Sequence, residues 1–103
     1  MDSQDREWER EQREIIRRAQ AITDAQDFTV IAGSPEGRRL LRRFMGECGV
    51  YRKTFTGEAL SSSFQEGKRS MGLWLIEQFN NCPDLYIQLL TEKNNERRNR
   101  IDD

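Results

Sequence analysis

Only two prolines punctuate this chain of 103 residues, Pro35 and Pro83, and each heads a run with helical spacing. Proline has no N–H to donate and a fixed φ, so it breaks a helix interior yet suits the first helical position, where that N–H has no partner anyway. Two helix starts are thereby fixed. Ser34 precedes Pro35 and supplies a good N-cap hydroxyl. Gly49 follows Cys48 and fits the left-handed position just past a helix end, so a helix is predicted between Ser34 and Gly49. Pro83 is followed by Asp84, whose charge favours the positive end of the helix dipole.

Two more helical segments complete the reading. The first spans about Ser3 to Ala25, without Gly or Pro. Acid-to-arginine pairs recur along it at i,i+4 (Asp2–Arg6, Glu9–Arg13, Glu14–Arg18). Its apolar residues are sparse, and Trp8, Ile15 and Ile22 stand seven apart as a thin stripe. Such a stripe suits either a solvated helix or one that docks on a partner or on another copy of the chain. Asp27 to Gly33 reads as a short apolar connector pinned to the core by Phe28, Val30 and Ile31. Val50 to Gly57 reads as an irregular loop with Tyr51 and Phe55 turned inward. The other segment is predicted to start at the capping box Ser63-Phe64-Gln65-Glu66 and to stop at Asn80-Asn81. Gly67 and Gly72 within it are costly in a helix, which points to close approach by neighbours. The helix from Pro83, with Leu85, Tyr86, Leu89 and Leu90 on its apolar face, is expected to fade at Asn94-Asn95.

The expected fold is all-α: a small three-helix core with an additional charged N-terminal helix. The division is a charged helix over 1–26, a helical core over 27–92 and a polar tail over 93–103.

Composition excludes several functions. There is no histidine, so histidine-based triads and histidine zinc sites are ruled out. Cys48 and Cys82 cannot form a CxxC pair, and both are read as free thiols. No cofactor, metal site or catalytic constellation is expected, so the chain is read as not an enzyme. Residues Gly33 to Gly37 lack the phosphate-loop pattern, and capping is their expected role. With 34% charged residues and no long apolar run, the chain is expected to be soluble, without a membrane segment.

The net charge of -1 hides an uneven distribution: Ser34 to Gly72 carries eight basic and four acidic residues. In the second helix Leu40, Leu41, Phe44, Met45 and Cys48 fall in an arc of about 140°. Arg38, Arg39, Arg42 and Arg43 occupy the opposite arc. With Arg52, Lys53, Lys68 and Arg69 they could form a basic patch. Three readings stay open: a solvated face partly neutralised by Glu36, Glu47 and Glu66, a contact for an acidic protein surface, or a contact for nucleic-acid phosphate. A helix-turn-helix is disfavoured, since about ten residues would separate the second and third helices. The candidate partner-binding residues are therefore Arg38, Arg39, Arg42, Arg43, Arg52, Lys53, Trp8, Ile15 and Ile22.

One block of the chain resembles a known family. It comprises Phe28, Ser34-Pro35-x-Gly37-Arg38-Arg39-Leu40-Leu41, Gly49-Val50-Tyr51, Phe55, Phe64-x-Glu66-Gly67-x-Arg69-x-x-Gly72-Leu73-x-Leu75 and Cys82-Pro83. Over about residues 27–92 this is similar to a family of small tailed-phage proteins typified by a Bordetella phage protein, the Bbp-nineteen-like phage domain. Genes of this family typically lie near portal, terminase and head or tail genes. The resemblance implies a virion or virion-assembly role, with portal, core or tail proteins as partners. The implied location is the virion or the infected bacterial cytoplasm. It brings no catalytic motif. A nucleic-acid-associated or host-directed regulator made during infection is the alternative. Within the block, Glu66 and Arg69 are expected to tie the second and third helices together through Arg38 or Glu47.

Overall fold

The structure, a computed structural model, describes residues 2–51 and 58–102. It is all-α, with four helices and no strand among the described residues: α1 (Ser3–Ala32), α2 (Pro35–Cys48), α3 (Ala59–Gln78) and α4 (Pro83–Asp102), with a short 3-10 helix (Phe79–Asn81) between the last two.

Helix α1 is longer than the sequence pattern predicts. It runs through the supposed connector to Ala32, a length of about 45 Å. Phe28 and Ala32 are one turn apart and share a face, and tertiary packing on that face outweighs the low helix propensity of the β-branched run between them. Ala32 is fully buried, and the Phe28 ring meets Phe79 edge-on with centroids 4.8 Å apart. Val30 and Ile31, expected to pin this segment, are exposed instead.

The corner between α1 and α2 is only Gly33 and Ser34. The Ser34 side chain accepts from the Gly37 amide at 2.9 Å, as the cap predicts. A Cβ on Gly37 would stand 1.7 Å from the Ile31 carbonyl oxygen, so only glycine allows α2 this close to the end of α1. Gly49 closes α2 in the left-handed conformation, φ 69°.

Helix α3 starts at Ala59, about a turn ahead of the predicted capping box, and the Ser62 amide already donates to the Glu58 carbonyl at 2.9 Å. Its two internal glycines part ways. A Cβ on Gly72 would lie 2.3 Å from Val50 Cγ1 and 2.8 Å from Cys48 Cβ, so α3 crosses the end of α2 at this point. Gly67 has nothing within 4 Å of such a Cβ, so no close approach explains it.

The core gathers Ala32 from the end of α1, Leu41, Met45 and Cys48 from α2, Val50 just after it, Leu75 from α3, Phe79 from the 3-10 helix and Leu89 from α4. Met45 and Leu89 are its largest fully buried side chains, each worth about 1.5–3 kcal/mol of apolar burial. Leu40 and Phe44, placed with the core face by periodicity, are exposed instead. Helix α4 does not fade at Asn94-Asn95 but continues to Asp102.

The radius of gyration is 19.3 Å, against roughly 13 Å for a compact chain of about 100 residues. The length of α1 contributes to this. Its first two-thirds stands clear of the packed helices, and the molecule extends 70 Å along its longest axis.

Candidate functional site: a projecting arm and a neutralised arginine face

Half of the arginine face of α2, Arg38 and Arg42, is turned into the fold. Arg38 is only 3% exposed. Its Nε donates to both Glu92 carboxylate oxygens at 3.1 Å, and its Nη2 donates to Glu92 Oε1 at 2.9 Å. Its remaining Nη1 donates to the Ala32 carbonyl at 2.9 Å. One side chain thus joins α2 to the end of α1 and to α4. Arg42 donates through Nη1 to Glu92 Oε2 at 3.0 Å and through Nη2 to Glu96 Oε1 at 2.6 Å. Arginine's planar fork suits this geometry, since it offers several donors in one plane to a carboxylate.

This arrangement holds the Glu92 carboxyl below the usual carboxylate range. The hydrogen bond from Arg38 is the main cause, opposed by partial burial and reinforced by Arg42. Arg39 and Arg43 remain exposed, with Arg39 3.8 Å from Glu36. Arg52, Lys53 and Phe55 lie outside the described residues. The expected basic patch therefore loses Arg38 and Arg42 to an internal ion-pair network. The expected link from Glu66 or Arg69 to Arg38 or Glu47 does not form either; Arg69 faces Glu66 of its own helix at 3.8 Å.

Sequence reasoning missed Glu92 and Glu96 because it sought acids for these arginines only in α2 and α3, and it let α4 fade at Asn94-Asn95, ahead of Glu96. A signal was present. Arg38 and Arg42 are spaced i,i+4, and so are Glu92 and Glu96, which lets two helices meet rung against rung. Nearby, Lys93 Nζ sits 3.9 Å from the Tyr51 ring centroid. Tyr51 is more than half exposed rather than turned inward. Its hydroxyl is nevertheless pushed up to about 12, first by burial and then by a hydrogen bond with Tyr86.

The apolar stripe of α1 is the other candidate feature. Trp8, Ile15 and Ile22 are 62%, 59% and 60% exposed. At about 100° per residue they lie within an arc of about 40°, and Phe28 and Ala32 point well away from them. From Asp2 to Asp24 only Glu9 and Glu14 are less than exposed, and the arginines beside them are their own neighbours on the helix. The stripe is therefore an apolar line on a projecting helix, flanked by charges. Towards the body it runs into an open groove lined by Ile22, Ala25, Gln26, Thr29, Val30 and Asn81.

Cys48 is buried under Gly72, Cys82 is half-buried, and both are free. Among the described residues, no group of three or more histidine, cysteine or acidic side chains is placed to hold a metal ion. Among the described residues, no helix is long and apolar enough to cross a membrane.

No curated protein and no solved structure matches the chain. A family described as "Bbp19-like phage protein" matches residues 28–91. The match opens at Phe28, the residue at which α1 enters the core, and it spans the Arg38 clasp up to the residue before Glu92. Caps, packing glycine and hydrophobic core all fall within it, and on that extent the chain belongs to the family of Bbp19-like phage proteins.

Proposed function

We propose that this phage protein is a non-enzymatic structural or assembly component of the virion, acting through protein–protein contacts made by its α1 arm. The observation that carries the reading is the line of Trp8, Ile15 and Ile22, exposed on a helix that projects from the core. Exposed apolar surface of this kind is characteristic of interaction sites. The network around Arg38 supports a protein rather than a nucleic-acid partner, because two of the cations that would contact phosphate are already neutralised. Portal, core and tail proteins are the partners this reading favours.

Mass spectrometry of purified particles, combined with pull-downs from infected cells using wild type and Trp8→Ala/Ile15→Ala, tests it. Presence in particles and stripe-dependent capture of a virion protein are expected. Absence from both particles and assembly intermediates, or micromolar duplex-DNA binding with a steep salt dependence, would overturn it.

A further inference from the structure

We propose that α1 pairs antiparallel with α1 of a second copy, about a two-fold axis beside Ile15. This deepens the protein-contact reading of the arm, but it concerns the purified chain alone, so a negative particle experiment leaves it standing.

The stripe is symmetric in its own sequence. Trp8 and Ile22 each stand seven residues from Ile15, so an antiparallel partner centred on Ile15 sets Trp8 of one copy against Ile22 of the other, at both ends. At that end the indole meets the open groove lined by Ile22, Ala25, Gln26, Thr29 and Val30. Ile16, also largely exposed, lies on one flank and meets its own copy close to the axis. A closed two-fold contact uses the same patch on both copies.

Charge selects the direction. From Asp2 to Glu14 the arm carries six acids against three arginines. From Ile15 to Gln26 it carries Arg17 and Arg18 against Asp24 alone. A parallel pair would set the acidic halves side by side, whereas an antiparallel pair sets each against the basic half of its partner. On the flank opposite Ile16, Glu11 lies four residues before the axis and Arg18 three residues after it. Reversing the second helix brings Glu11 of each copy level with Arg18 of the other, within roughly one residue's rise of 1.5 Å. Arg18 is 3.1 Å from Glu14 in the single chain, but this pair is exposed and can be shared at little cost.

Sedimentation equilibrium of the full chain tests the pairing, with circular dichroism confirming that each variant remains helical. Wild type is expected to form a concentration-dependent dimer, and Ile15→Glu, which opposes two carboxylates on the axis, to be monomeric. Glu11→Arg and Arg18→Glu, each setting like charges together twice, should weaken the dimer by roughly tenfold. The double variant Glu11→Arg/Arg18→Glu should restore it. A wild type that stays monomeric at high micromolar concentration, a dimer that survives Ile15→Glu, or a double variant no tighter than the singles would overturn the proposal.

Discussion

Replacing Glu92 with glutamine removes one negative charge from between two arginine side chains that are only 4% and 8% exposed. Uncompensated charge is expensive when buried, and breaking a fully buried pair costs about 3–5 kcal/mol. Glu92 itself is 29% exposed, and glutamine still accepts a hydrogen bond, so the cost here is about 2–3 kcal/mol. In a domain of this size that lowers Tm by roughly 10–20 °C. The effect also carries a pH signature. The Glu92 carboxyl titrates below its ordinary 4.5 when folded, so the unfolded chain takes up the proton first on acidification. Its stabilisation is complete above 4.5 and disappears as pH falls through the lower folded value. Denaturant melts of wild type and Glu92→Gln at neutral pH and through the acid range should therefore show a gap that closes with acid. A gap below about 0.5 kcal/mol at neutral pH, or one constant into strong acid, would refute the reasoning.

Gly72→Ala should destabilise by more than the propensity gain of about 1 kcal/mol can offset, because its Cβ meets Val50 and Cys48, whereas Gly67→Ala should stabilise by up to about 1 kcal/mol. Urea melts of the two variants check this, and like signs would contradict the packing assigned to Gly72. Removing residues 2–20 should leave a cooperative thermal transition in calorimetry, since none of the buried core lies there. A non-cooperative melt would place the arm within the folding unit.

What could be read from the sequence divides between local and distant interactions. The Ser34 cap, Pro35, the Gly49 terminus and the Pro83 start depend on neighbours a few residues away, and all stand where the pattern puts them. Gly72 was legible as a packing glycine because glycine there lacks a local reason, but the same argument failed at Gly67. The end of α1 was not legible, because burial of Phe28 and Ala32 against distant residues overrides local propensity. Nor was the fate of the arginine face. The acids that hold Arg38 and Arg42 lie 50 and 54 residues along the chain, on a helix whose last turns carry the asparagines at which the pattern ends it. The three stripe residues of α1 were visible from spacing alone, and all three are exposed.

The corner at Gly33-Ser34 makes α1 a pointer rather than a tether. Flexible linkers let a module search for its partner while its body tumbles freely. Here the arm is continuous with a helix that ends in the core, the Ile31 carbonyl rests against the bare backbone of Gly37, and Arg38 grips the Ala32 carbonyl. The arm consequently has one bearing relative to the body. Whatever holds it sets the heading of the whole molecule, and a push on its tip is delivered as torque to the joint where α1, α2 and α4 meet.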